Sequence, residues 1–599
     1  MPPEPRFAIA TVCLSGTLED KLGAAAAAGF DGVELFENDL LASPLRPAEV
    51  RRRCADLGLS IDLYQPLRDI EAVPPDVLAA NLRRAEHKFD VMAELGVDTV
   101  LVCSSVSPDA IDDDELAAEQ LRELADRAGA RGLRVAYEAL AWGRHVSSYQ
   151  RAWRIVRRAA HPALGVCLDS FHILSKGHDP APIRAIPSEK IFFLQLADAP
   201  RLPMDVLPWS RHHRLFPGQG DFDLTAFTGH VLAAGYRGPL SLEVFNDVFR
   251  QADPRPAAVD ALRSLRALAE SVGALELPLA PQLTGHAFAE VAAGPEDETG
   301  PVLASLGFAR TGVHQSKPVE LWEQGDARVL VNRAASSGAL GALGFTSADP
   351  ARSARRAETL SAPVLPRTRG PREADLAAVA APDGTEVFFC GNDDWISDFV
   401  PTGETANGVG IIGIDHVALA QPFDHFEDAV TFYRTVLGLT PAPVAEFAAP
   451  FGLVRSRAVV AGRVRVTLDG TLVRRGGWAP AVPEPQHVAF ACADAVAAAR
   501  ILRARGAELL GIPDNYYDDL AARVADPAGG IDALRANSVL HDRDEHGEFL
   551  HFYTALAGSR VFFEVVQRIG DYRGFGVANA PIRMAAHRAR RGTSAAVSS

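Results

Sequence analysis

Through the first half of the chain, short unbroken apolar runs alternate with longer stretches whose apolar residues recur every three or four positions. The runs are Phe7–Leu14, Gly32–Phe36, Ser60–Leu67, Thr99–Ser105, Arg134–Leu140, Gly165–His172, Ile191–Asp198 and Gly238–Phe245. Rich in β-branched and aromatic residues and bounded by Gly, Asp or Pro, they predict strands buried on both faces of a parallel sheet. Between them, Leu22–Ala28, Asn81–Leu95 and Asp112–Ala128 are built from Ala, Leu, Glu and Arg and predict helices with one apolar stripe. Eight strands alternating with helices predict an α/β fold, a (β/α)8 TIM barrel over residues 1–274. A doubly wound open sheet is the competing arrangement, but no glycine-rich phosphate loop follows the first run.

Barrel enzymes carry their chemistry at the C-terminal ends of the strands. Polar residues that a buried strand would otherwise avoid stand there: Glu138 in RVAYEAL, Asp169 in GVCLDSFH, Gln195 in FFLQLAD and Glu243 in LSLEVF. The first three are one strand-helix repeat apart, and the longer step to Glu243 accommodates an inserted loop, Ala199–Asp223. Carboxylates gathered in an apolar mouth repel one another and lose hydration, and a divalent cation relieves both effects. Three carboxylates and one amide suit Mg2+, Mn2+ or Co2+ better than Zn2+. The competing reading is four strand-end polar groups satisfied by backbone.

The second half has another grammar. After a Leu- and Pro-rich linker, LELPLAPQL, come short alternating strands, hairpin turns and isolated helices. Two stretches repeat the order helix, Gly-Phe or Gly-Leu, paired strands, which predicts duplicated βαβββ modules of vicinal-oxygen-chelate type. We place a degenerate module at residues 283–400, a metal-binding one at 408–585, and a disordered basic tail at 586–599. His416 in IIGIDHVALA, His487 in EPQHVAFAC and Glu564 in RVFFEVVQR each lie in an alternating strand, so all three can face one cavity. Two His and one carboxylate form the facial donor set of non-haem Fe(II) sites.

Composition narrows the setting. The 599 residues carry a net charge of −16, with 48% hydrophobic and 23% charged residues, an ordinary globular balance. That acidity argues against a nucleic-acid partner, and no run is apolar enough for a membrane span. The start, MPPEPRFAIATVCL, lacks the basic segment of a secretory signal. Six cysteines stand singly, which predicts reduced, buried thiols in a cytoplasmic protein. We expect a homo-oligomer acting on a small molecule.

The barrel motifs resemble the xylose-isomerase-like superfamily over about residues 5–270, with Gln195 as in its dehydratase branch. The second half resembles 4-hydroxyphenylpyruvate dioxygenases over roughly residues 283–585, through IDHVAL, QHVAFAC, IPDNYYDDL, HDRDEHGEFLHFYT, FFEVVQR and RGFGVANAP. This resemblance implies that His416, His487 and Glu564 hold a divalent metal, Fe2+ or Mg2+. The chain departs from the pattern at Leu468-Asp469-Gly470 and at TLVRRGGWAPAVPEP, the stretch corresponding to the keto-acid grip. Together the halves resemble the bacterial two-domain 3-dehydroshikimate dehydratases, implying formation of protocatechuate from 3-dehydroshikimate. In that reaction His172 is the candidate proton-transfer group, with Glu138 and Glu243 in the catalytic set. Arg68 and Arg214 are candidates for the substrate carboxylate, and Ser210 and Tyr64 for its hydroxyls. Alternatives are a sugar epimerase or inosose dehydratase barrel, a second half that oxidises a keto acid or an aromatic, and a second half that only mediates association.

Overall fold

The computed structural model describes residues 4–294, 297–334, 338–422, 424–450, 452–471, 486–558 and 560–597. The chain divides into two compact units, Met1–Leu277 and Pro278–Ser599. Among the described residues no helix is long and apolar enough to cross a membrane.

The first unit is a closed barrel of eight parallel strands in sequence order. They are β1 (Phe7–Ala10), β2 (Gly32–Phe36), β3 (Ser60–Arg68), β4 (Thr99–Cys103), β5 (Arg134–Glu138), β6 (Leu164–Asp169), β7 (Ile191–Leu196) and β8 (Leu240–Leu242). Alternation along each strand sorts its side chains. On β4, Val100 and Val102 pack outward into the large core shared with the helices. Leu101 and Cys103 point the other way, into a separate inner group with Leu63, Ala136, Cys167 and Phe193. The residues that follow in the same phase, Glu138, Asp169 and Gln195, are therefore aimed into the bore. Helices begin where the sequence supplies caps: Asp113 accepts from Glu115 N at 2.8 Å, and Ser148 from Arg151 N at 3.4 Å.

The loop after β7 is tied down by Asp198. Its carboxylate accepts from Ala199 N (2.8 Å), Gly218 N (2.8 Å) and Phe222 N (3.0 Å). A side chain at Gly220 would sit 2.5 Å from the Ala199 carbonyl, so only glycine allows this close approach.

The second unit contains two mixed sheets. One runs from Ala377–Ala380 at one edge to Phe399–Pro401 at the other. In the other, Ile411–Gln421 lies between Val464–Thr471, parallel to it, and Gln486–Cys492, antiparallel. Val561–Gly570 then pairs parallel with Gln486–Cys492, and Gly547–Tyr553 lies beyond it. The keto-acid segment at 472–485 lies outside the described residues.

The C-terminus corrects the expected disordered tail. A helix spans Ala580–Val597, and one face of it is buried as far as His587. Met584 and His587, three apart on one face, are both buried, and the His587 ring packs 4.7 Å from that of Phe562. Of the basic residues that suggested a solvated tail, Arg583 is buried as well, while Arg588 is exposed. All six cysteines are free and buried.

Candidate functional site

The mouth of the barrel gathers Glu138, Asp169, His172, Ser210, Arg214 and Glu243, all at most 5% exposed. Asp169 ends β6 and caps the short helix Ser170–Leu174, its Oδ1 accepting from Phe171 N at 2.6 Å and His172 N at 3.3 Å. That leaves Oδ2 for Arg214 Nη1 at 2.8 Å. The same guanidinium donates to Glu243 Oε2 at 3.2 Å, to the Glu243 carbonyl at 3.0 Å and, through Nη2, to Ser210 Oγ at 2.9 Å. Its own loop thus folds Arg214 into the bore as the counter-charge of two carboxylates. His172 lies beside it, with Nε2 3.3 Å from Arg214 Nη2, 3.6 Å from Asp169 and 3.8 Å from Glu138, while Ala141 N donates to Nδ1 at 3.2 Å.

Electrostatics follow from this crowding. Burial raises Glu138 well above the carboxylate range, with the Asp169 and Glu243 charges adding to it. Burial also pushes Glu243 up to about 7 against the pull of Arg214. Asp169 is lowered despite burial, because Arg214 and His172 face it. Burial drives His172 down to about 3, aided by Arg214 and Arg68, so the imidazole is neutral near pH 7.

One placement differs from the sequence reading. Tyr64 belongs to the outer core, with Lys88 Nζ 5.4 Å from its ring, so it does not reach the mouth. Alternation explains this: Leu63 and Gln65 are the inward residues of β3. Gln195 faces the bore, yet its Nε2 donates to Glu34 Oε2 at 2.6 Å. Arg68 closes β3 in register with Cys103, and its charge acts on Glu243 and His172.

The sequence reading missed Glu34, Gln65 and Ser241. Glu34, fully buried on β2, accepts from Gln65 Nε2 at 2.9 Å and from the Ser241 hydroxyl as well as from Gln195. Burial raises it well above its ordinary range, with Glu243 adding. The signal was present, since GVELF carries a carboxylate in an apolar run just as RVAYEAL does.

Glu138, Asp169 and His172 offer ligand atoms within 4.8 Å of one another. Glu138 Oε1 is buried without a hydrogen-bond partner. An orphaned carboxylate oxygen amid raised carboxyl groups fits a hard cation.

In the second unit, register builds the site. His416 pairs with Ala489, which pairs with Glu564, and His487 lies two residues before Ala489, so the three side chains share one face. His416 Nε2 and His487 Nε2 lie 3.3 and 3.1 Å from Glu564 Oε2 and 3.4 Å from each other. Asp415 Oδ1 holds His416 Nδ1 at 2.8 Å, while Arg568 donates to Oδ1 through Nη2 at 2.7 Å and to Oδ2 through Nε at 2.8 Å, an outer layer that fixes the imidazole. Despite burial, Glu564 sits well below its usual range, because His416, His487 and His551 all face it. Burial pushes His487 down to about 4. These donors fit a divalent ion. His551, bonded to Glu564 Oε1 at 2.6 Å and Asn579 Nδ2 at 2.9 Å, escaped the sequence reading although it stands in the quoted HFYT string.

A closed barrel with an acidic mouth, followed by a sheet unit with a two-His, one-carboxylate cluster, defines a fused barrel and dioxygenase-like protein. The xylose isomerase-like TIM barrel model matches residues 22–268, and the Glyoxalase/Bleomycin resistance protein/Dioxygenase superfamily model matches residues 413–531. The chain is 46% identical to a 3-dehydroshikimate dehydratase of Pseudomonas aeruginosa over 98% of each chain. It is 44% identical to one from Pseudomonas putida, covering 96% of this chain and 97% of that one. A solved xylose isomerase-like TIM barrel/4-hydroxyphenylpyruvate dioxygenase fusion protein superposes with a TM-score of 0.88 at 43% identity, over 98% of this chain and all of the other. The chain belongs to the 3-dehydroshikimate dehydratase family.

Proposed function

We propose that the chain is a metal-dependent 3-dehydroshikimate dehydratase, forming protocatechuate and water in quinate and shikimate breakdown. The observation that carries this reading is the buried group of Glu138, Asp169, His172 and Glu243 around Arg214, in a chain matched end to end by curated dehydratases. Glu138, Asp169 and Glu243, with the amide oxygen of Gln195, would hold Mg2+, Mn2+ or Co2+. When bound, such an ion supplies positive charge to a substrate oxygen.

The remaining work falls to side chains. The substrate carbon beside the ketone bears a hydroxyl and a hydrogen, and its proton passes to the imidazole of His172. Burial keeps that ring neutral and so able to accept it. The electron pair left behind expels the hydroxyl on the next carbon, which leaves as water with a proton. Loss of a ring proton to the ketone oxygen then completes the aromatic product. Arg68 at the end of β3 pairs with the substrate carboxylate, while Arg214, already committed to Asp169 and Glu243, keeps Asp169 charged and holds both side chains in place. Ser210 steadies that guanidinium. In the second unit, His416, His487 and Glu564 would hold Fe2+ or Mg2+.

The test uses metal-depleted protein, 3-dehydroshikimate and a panel of Mg2+, Mn2+, Co2+ and Fe2+, with protocatechuate absorbance as readout. Product that needs metal, vanishes in Glu243→Ala and survives in His416→Ala supports the barrel as the dehydratase. No product from wild type under any metal overturns the substrate assignment.

A further inference from the structure

The inner surface of the barrel carries a polar hub that the dehydration steps leave unused. Glu34 leaves β2, is fully buried and reaches three other strands of the barrel. Its Oε2 accepts from Gln65 Nε2 on β3 at 2.9 Å and from Gln195 Nε2 on β7 at 2.6 Å. Its Oε1 meets the Ser241 hydroxyl beside β7, on β8. Gln65, Gln195 and Ser241 are buried as well. Four polar side chains inside a barrel are costly unless each finds a partner, and these satisfy one another.

The hub decides which end of an amide faces the mouth. A primary amide has a donor end and an acceptor end, and a cation takes only the acceptor. Gln195 stands in register with Asp169 of β6. With its nitrogen on Glu34, its Oε1 is left to one weak donor, the Cys167 thiol at 3.4 Å. Turning the amide over would bring its oxygen against Glu34 Oε2, which already accepts from Gln65. The preference holds whether or not Glu34 carries a proton. Oε2 accepts both amides in either state, while Oε1 accepts from Ser241 or, protonated, donates to it.

We propose that Glu34 is a positioning residue for the barrel's divalent cation: by holding the Gln195 nitrogen, it keeps the Gln195 oxygen turned toward the site of Glu138, Asp169 and Glu243. The inference rests on the reading that those residues hold a cation. Glu34 is not itself a ligand and acts through Gln195. Gln65 and Ser241 brace it from β3 and β8.

The experiment titrates Mn2+ into the metal-depleted full chain and reads hydrogen exchange of peptides covering residues 164–196, which carry Asp169 and Gln195 and lie in the first unit. Glu34→Met keeps bulk and removes both oxygens; it should need at least about tenfold more Mn2+ than wild type for the same protection. Glu34→Gln keeps an oxygen for the two amides and should stay within about threefold of wild type. Gln195→Glu alone sets two carboxyl groups against each other. Combining it with Glu34→Gln exchanges the two residues, so that an amide N–H again meets a carboxylate and an oxygen is again left for the cation. The exchanged pair should bind Mn2+ at least about tenfold more tightly than Gln195→Glu alone. Because it restores a contact, that comparison decides even if Glu34→Met fails to fold. A purely structural Glu34 would lower protection in the metal-free Met variant and leave the Mn2+ midpoint in place. The proposal is overturned by a Glu34→Met midpoint within about threefold of wild type, by a Glu34→Gln midpoint as weak as that of Glu34→Met, by no gain in the exchanged pair, or by no Mn2+ protection in wild type. Turnover of 3-dehydroshikimate by the same preparations keeps the two readings apart. The expected order of Mn2+ midpoints without product from wild type sinks the dehydratase reading and leaves Glu34 in its role. Product from wild type with an unchanged midpoint in Glu34→Met does the reverse.

Discussion

Arg214→Met tests the electrostatic design of the barrel mouth. The native guanidinium is 1% exposed and bridges Asp169 Oδ2 at 2.8 Å and Glu243 Oε2 at 3.2 Å. Methionine keeps much of the stem's volume and removes the charge, leaving two carboxylates buried side by side. Deleting one partner of a buried pair costs about 3–5 kcal/mol, because the remaining charge is stranded in low dielectric. At about 1.4 kcal/mol per decade, that is a loss of roughly two to nearly four orders of magnitude in local protection. Hydrogen exchange of metal-depleted protein, followed on peptides covering β6, β7 and β8, reads this directly and confines the measurement to the barrel. Adding Mn2+ should restore part of the protection, since a cation replaces the missing counter-charge. If protection in Arg214→Met without metal stays within about threefold of wild type, Arg214 is not neutralising those acids, and the account of the mouth falls.

Replacing His172 by Gln should lower kcat with 3-dehydroshikimate by about 100-fold or more while KM changes little, the pattern of a lost proton-transfer group; a kcat within threefold of wild type removes His172 from the mechanism. Glu71, buried and bonded to Ser105 N at 2.5 Å and the Tyr137 hydroxyl at 2.9 Å, is pushed up by burial to about 7 from an ordinary 4.5. A raised carboxyl stabilises the fold below its unfolded value and loses that contribution as pH climbs through the folded one, so barrel stability should fall between about pH 4.5 and 7 by up to roughly 3 kcal/mol from this group. Hydrogen exchange across that window should be flatter in Glu71→Gln, and an identical slope would refute the assignment.

How much of this was legible follows from periodicity. Glu138 and Asp169 are the last residues of β5 and β6, in phase with Ala136 and Cys167 of the inner group, so a polar residue ending an apolar run was a sufficient signal. Tyr64, singled out for its hydroxyl alone, lies outside the mouth because Leu63 points inward, so its neighbour points out. Glu34 offered the same signal as Glu138 and was passed over. Arg214 was singled out, but its place between two acids depends on how the Ala199–Asp223 loop folds back onto Asp198, which no local pattern encodes. In the second unit, single histidines in alternating strands were readable, while His551 required knowing that Tyr553 pairs with Glu564 across the sheet. The C-terminal helix was hidden because its buried face consists of few residues among many basic ones.

The buried thiols give this protein an internal chemical clock. Burial pushes the Cys54 thiol up to about 11 and those of Cys390 and Cys492 up to about 12, and it raises Cys13, Cys103 and Cys167 further. Near pH 7 the folded chain presents almost no thiolate, so an alkylating reagent reacts only when a segment opens. Cys13, Cys54, Cys103 and Cys167 lie in the first unit and Cys390 and Cys492 in the second. A timed pulse of reagent followed by peptide mass analysis would therefore record how often each half opens, in one native sample and without any introduced label.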